Sequence, residues 1–113
     1  MKFFKQIKQT IGIGAESKSK VLMRKVMEKL EAAGLQSERD RNLCATAMFR
    51  KTVKYFRQLQ KAALGKGNVE AVAKVWTDDL KATMDSYGIE DVAVQEEIIV
   101  GDGGFMDIMA DLA

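Results

Sequence analysis

The 113-residue sequence contains no histidine and no proline. The lack of histidine removes the commonest general base and the commonest metal ligand. The lack of proline, beside abundant Ala, Met, Leu, Lys, Glu and Gln, is the composition of a helical protein. A single cysteine, Cys44, excludes an internal disulfide and fits a reducing compartment, which makes the cytoplasm the default location. No apolar run approaches the ~20 residues needed to cross a bilayer. Lys5 and Lys8 interrupt what would have to be the apolar region of a secretory signal.

The remaining chemistry is equally sparse. Cys44 has no histidine to activate it and lies beside Leu43 in a helical pattern, so it reads as a buried, inert thiol. Gly101-Asp102-Gly103-Gly104 lacks the Lys and Ser/Thr of a phosphate-binding loop and the alternating oxygen ligands of a calcium loop. Glu96, Glu97, Asp102, Asp107 and Asp111 read as a solvated acidic surface rather than an ion site. The expectation is a protein that is not an enzyme and carries no cofactor or metal.

What the chain does contain is charge, unevenly spread. The net charge of +2 is the sum of +11 over residues 1–77 and −9 over residues 78–113. Such segregation points to an anionic partner for the basic part, with the acidic part solvating or masking it.

The longest uninterrupted helical pattern runs from Ala45 to Leu64. Ala45, Phe49, Val53, Phe56 and Ala63 fall on one side and are the expected core face. Arg50, Lys54, Arg57 and Lys61 form a second stripe, roughly 60° wide and well away from the first.

The other segments follow from similar patterns. Residues 1–15 form a basic amphipathic arm in which Phe4, Ile7 and Ile11 line one side. Phe3 sits at its edge and Lys2, Lys5 and Lys8 flank it. The arm either enters a lipid interface or covers the core. Residues 16–100 make up a helical domain. Its first helix, from Lys20 to Ala33, buries Leu22 or Met23, Val26, Leu30 and Ala33. It then either ends at Gly34, with Leu35 closing back, or continues through a kink. Ser37 with Asp40 gives a weak capping box for the long helix. Asn68 caps a helix over Val69–Tyr87 in which Val69, Val72, Trp76, Leu80, Met84 and Tyr87 face inward, with Trp76 as a core anchor, and Gly88 ends it. Val92 to Val100 fits either a short helix or a strand. Residues 101–113 are a glycine-rich flexible break and an acidic amphipathic tail. There Phe105, Ile108, Met109 and Leu112 would dock on the protein's own basic body or in a partner's groove. No heptad run is long enough to define a coiled coil by itself.

The basic stripe suits either nucleic acid or an anionic phospholipid membrane. No nucleic-acid-binding signature or interleaved aromatic accompanies it, which makes nucleic acid the weaker reading. Each Lys or Arg near an anionic bilayer contributes ~1 kcal/mol, and a bilayer also has a use for Phe4, Ile7 and Ile11.

The order of these parts resembles the start of an N-BAR domain, as in endophilins, amphiphysins and their fungal relatives. The resemblance covers roughly residues 1–64 and rests on the arm, the hinge IGIGAESKSK, the helix opening VLMRKVMEKLE and the basic helix containing YFRQLQKAA. Gly12, Gly14, Ala15, Glu16 and Lys18 are similar to the Gly-Gly-Ala-Glu-Gly-Thr-Lys hinge of endophilins. The resemblance implies an antiparallel homodimer of long kinked helices whose concave basic surface senses or induces curvature. Phe4, Ile7 and Ile11 would insert, Lys2, Lys5 and Lys8 would meet headgroups, and Arg50, Lys54, Arg57 and Lys61 would lie on the concave face. Phe49, Val53 and Phe56 would form bundle or dimer core. Breaks at Gly34, Gly65–Gly67, Gly88 and Gly101–Gly104 leave no room for three long helices, so the other outcome is a bundle of four or five short ones.

The expected fold is therefore all-α, about four short-to-medium helices with an amphipathic arm, either a bundle or a BAR-like dimer. The expected function is peripheral membrane binding from the cytoplasm. The alternatives are a small adaptor that binds a protein partner through its acidic C-terminal segment, and a nucleic-acid accessory protein.

Overall fold

A computed structural model describes residues 18–112, and they form five α-helices. These are α1 (Lys18–Ala32), α2 (Glu38–Lys61), α3 (Val69–Ser86), α4 (Val92–Val100) and α5 (Phe105–Leu112). The amphipathic arm, with Lys2, Phe3, Phe4, Lys5, Ile7, Lys8 and Ile11, lies outside the described residues.

The helix ends are set by local chemistry. After α1 the N–H of Gly34 donates to Glu31 O and that of Leu35 to Leu30 O, both at 3.0 Å. This Schellman closure needs the left-handed backbone of Gly34 (φ 105°), and it rules out a continuous helix through that residue. The hydroxyl of Ser37 accepts from Asp40 N at 3.2 Å and starts α2. The turn after α3 repeats the design: Gly88 N–H donates to Asp85 O and Ile89 N–H to Met84 O, and Asp91 then caps α4. Both linkers, 33–37 and 87–91, read residue–Gly–Leu/Ile–residue–Ser/Asp. Leu35 and Ile89 are buried, so each turn is also pinned from inside. Val92–Val100 is a helix, not a strand, because Asp91 Oδ1 satisfies the N–H groups of Ala93 and Val94 at 2.9 and 3.3 Å.

Helix α2 lies at the centre, packed against α1, α3 and α5, while α4 closes against α1, α3 and α5. One core joins all five: Val26 and Leu30 from α1, Cys44, Ala45 and Met48 from α2, Trp76, Leu80 and Met84 from α3, Ile98 and Ile99 from α4, and Phe105 and Ile108 from α5.

The predicted core face of α2 needs correction. The buried residues are Cys44, Ala45, Met48, Thr52 and Tyr55. Phe49, Val53 and Phe56 are only half-buried and Ala63 is exposed, so the inward face is rotated by about one residue, roughly 100°. The reason is polar satisfaction. Thr52 Oγ1 donates to Met48 O at 2.9 Å and accepts from the Trp76 indole at 3.0 Å, and the Tyr55 hydroxyl donates to Asp79 at 3.1 Å. With their polar atoms paired, Thr52 and Tyr55 enter the interface without an unsatisfied group.

The N-BAR resemblance does not survive. The described residues pack as a compact helical bundle around one core, not as an elongated arc. An elongated arc of long helices is excluded, and with it the concave curvature surface. Of the half-buried Phe49, Val53 and Phe56, Phe49 packs against the core of this bundle, and that core is built from residues of one chain.

The glycine-rich break is not a loose one. Gly104 N–H donates to Gly101 O at 2.9 Å, Gly103 N–H donates to Asp107 Oδ2 at 2.6 Å, and both Gly103 and Gly104 are buried. The segment is a tight packed turn that delivers α5 to the core.

Candidate functional site

The four α2 cations predicted to meet an anionic surface share one exposed face. Arg50, Lys54, Arg57 and Lys61 all project from α2 into solvent. Their helix is held by α3 on its inner side through a polar clamp. Lys51 Nζ donates to Asp79 Oδ1 at 2.9 Å and to Thr83 Oγ1 at 2.7 Å, while Tyr55 donates to the other Asp79 oxygen at 3.1 Å. The Lys51 ammonium, helped by the Tyr55 hydroxyl, holds the Asp79 carboxyl below its ordinary pKa against the opposing effect of burial. Burial, then the neighbouring Asp79, pushes Tyr55 up. A tyrosine with a raised pKa is a weaker acid that stays a neutral phenol and keeps donating to Asp79, so the cluster fastens α2 to α3.

None of the four stripe cations makes a salt bridge to the acidic part of the chain among the described residues, although the charge of Lys54 helps to hold Asp79 ionised. Among the described residues the ion pairs at Glu97, Glu96 and Asp78 are made by Lys29, Lys81 and Lys74. Lys54 lies 5.2 Å from the centre of the Tyr55 ring, where a cation–π contact orients it along the helix surface. The local field is reinforced by sequence: residues 41–69 hold seven Lys/Arg and no Asp or Glu.

Two exposed leucines extend the same stripe. Leu43, seven residues before Arg50, is 45% exposed, and Leu64, three residues after Lys61, is 77% exposed. Leu64 sits in the kinked turn over Ala62–Lys66, just before the left-handed Gly65 (φ 87°) inside it. Sequence pattern alone placed Leu64 only as the last residue of a helix. Its outward position follows from the helix register, roughly 200° around from the buried Ala62.

The predicted partner-binding side chains lie elsewhere. Phe105 and Ile108 are fully buried in the protein's own core, and Met109 packs against it; for Leu112 only the backbone is described. Of the two docking places expected for the C-terminal segment, its own body is the one it occupies. Phe105 and Ile108 cannot meet a partner's groove without leaving that core.

A groove of about 480 Å³ lies between the end of α1 and α4 over Ala32, Ala33, Val94 and Ile98. Its charged groups are already engaged: Lys29 pairs with Glu97 at 2.8 Å and Asp91 caps α4. Cys44 is buried, and burial pushes its thiol up to about 11, far from the range of a nucleophile at neutral pH. Among the described residues no cluster of three or more Cys, Asp or Glu side chains could hold a metal ion. No helix among them is long and apolar enough to cross a membrane.

The described residues form an all-α helical bundle in which α2 presents an exposed cationic face. No protein-family model matches it, and no curated protein or solved structure is significantly similar to it.

Proposed function

We propose that the protein binds anionic lipid surfaces peripherally through the exposed face of α2. The observation that carries this reading is the stripe Arg50, Lys54, Arg57 and Lys61, exposed and without an acidic residue from position 41 to 69. Four such cations near an anionic bilayer contribute about 4 kcal/mol together, equivalent to a dissociation constant on the order of 1 mM. That is weak, reversible attraction, which a second, apolar contribution would turn into useful affinity.

Nucleic acid could meet the same cations through its phosphates. The aromatic residues on α2 do not favour it, because Tyr55 is buried and Phe49 and Phe56 are half-buried, so none offers an open ring for base stacking.

Co-sedimentation with vesicles tests the reading. Binding to phosphatidylserine-containing vesicles, weakened by 0.5 M salt, absent with neutral vesicles and lost in Arg57→Glu/Lys61→Glu, is the expected result. A protein that ignores the vesicles but shifts a nucleic-acid duplex at low salt would replace this reading with the other.

A further inference from the structure

We infer that the tip of the α2–α3 hairpin is an apolar anchor, with Leu64 entering the acyl boundary of the bilayer that the α2 stripe attracts. The inference rests on the lipid-facing reading of that stripe and identifies how the surface is gripped.

An exposed leucine is ordinary by itself. Leu64 differs in three respects. It is the most exposed of the large apolar side chains among the described residues, at 77%, and the tip that carries it also bears Ala63, exposed, and Val69, 44% exposed. It lies on the cationic stripe, one turn beyond Lys61, so lipid phosphates held by Arg57 and Lys61 would bring the acyl boundary within its reach. It also projects from a turn whose backbone is fixed. Ala62, two residues earlier, is buried, Gly65 closes the turn in the left-handed conformation, and Asn68 Oδ1 accepts from Ala71 N at 3.0 Å to restart the chain as α3. Ala62 continues the buried face of Tyr55, seven residues earlier, and Leu64 lies roughly 200° around the helix from it, on the outer side. The nearest acid in sequence after the tip is Glu70, in the first turn of α3, where the helix N-terminus offsets its charge.

The occupant is a bilayer and not a protein groove, because cations surround the apolar group on one side and no acidic residue lies between positions 41 and 69. That arrangement separates a phosphate-level charge layer from a short apolar projection. It is the requirement for shallow interfacial insertion.

Site-specific fluorescence tests the inference. Cys44 is fully buried, so a maleimide dye will label Leu64→Cys selectively, with the unmutated protein as the unlabelled control. With phosphatidylserine-containing vesicles, an environment-sensitive dye at position 64 should shift to the blue and be quenched by nitroxide-labelled acyl chains. The same dye at Val100→Cys, an exposed position on the acidic α4, should stay in water. Leu64→Asp should weaken vesicle affinity about tenfold or more, and Leu64→Phe should preserve it. Vesicle binding with no shift at position 64 would overturn the anchor and leave the stripe intact. Equal shifts at positions 64 and 100 would overturn it as non-selective adsorption. Failure of the unmutated protein to bind vesicles would remove both the anchor and the reading beneath it.

Discussion

The indole N–H of Trp76 donates to Thr52 Oγ1 at 3.0 Å, and the Thr52 hydroxyl donates in turn to Met48 O at 2.9 Å. Trp76 is 1% exposed and Thr52 fully buried, so this two-bond relay is the only way the largest side chain of the core satisfies its polar atom. It joins α3 to α2 and fixes which side of α2 faces inward.

Thr52→Val keeps the shape and removes the acceptor. It should destabilise the protein by about 1–3 kcal/mol, the cost of an unpaired buried donor. Adding Trp76→Phe should recover part of the loss measured for Thr52→Val, after allowing for the cavity that the smaller ring leaves. Urea denaturation of the two single mutants and the double mutant checks this as a thermodynamic cycle.

The Asp79 clamp makes stability depend on pH at both extremes. The folded carboxyl lies below its ordinary value, so its contribution is present above the unfolded pKa and is lost as pH falls through the folded one. Tyr55 is raised, so its contribution is present below the unfolded pKa of a phenol and is lost as pH rises through the folded one. Melting temperature should therefore fall below about pH 4 and above about pH 10. Asp79→Asn should flatten the acid limb and shrink the alkaline one. An acid limb unchanged in that mutant would assign it to other carboxylates.

Gly104 sits where no side chain fits. A Cβ there would come into direct collision with the backbone oxygen of Ile98 and lie 3.0 Å from that of Gly101. Gly104→Ala should cost about 1–3 kcal/mol, toward the upper end because backbone cannot swing aside as a side chain can. Gly65→Ala meets nothing within 4 Å and should lose only about 1–2 kcal/mol for its left-handed backbone. Chemical denaturation ranks the two.

Phe105 belongs to the folded body. Phe105→Ala should destabilise by about 3–5 kcal/mol, and removal of residues 105–113 should lower the cooperativity of unfolding as well as its midpoint. A truncated chain that melted like the full one would return the segment to the role of a detachable partner-binding tail.

Cys44 should resist a thiol reagent at pH 8 in the native state and react fully in denaturant, because burial both shields it and raises its pKa to about 11. Mass spectrometry before and after unfolding distinguishes the two states.

How much of this was legible in the sequence divides along a physical line. The caps at Ser37 and Asn68, the stops at Gly34 and Gly88, the anchoring role of Trp76 and the exposure of Arg50, Lys54, Arg57 and Lys61 could all be read in advance. Caps and stops are made within about five residues, where local chemistry decides, and a stripe of four cations stays in water because burying it would cost too much. The linker pattern shared by 33–37 and 87–91 was also present in the sequence, although its meaning depends on Leu35 and Ile89 being buried.

The rest required partners distant in sequence. Thr52 and Tyr55 look like surface residues until Trp76 and Asp79, each 24 positions later, satisfy them. Gln95 is buried for the same reason, donating to Asp85 Oδ1 and Ile89 O at 2.7 Å each. The arc implied by the N-BAR resemblance failed because glycine turns that a local pattern treats as interruptions fold the helices back onto one another. Sequence alone thus determined where the helices lie and which cations remain in solvent. Only tertiary packing decided which face of α2 is buried, that Phe105 and Ile108 complete the core, and that Leu64 stands largely exposed at the hairpin tip among the described residues. Hydrogen-bond satisfaction and burial are properties of pairs that the chain brings together, not of the residues one at a time.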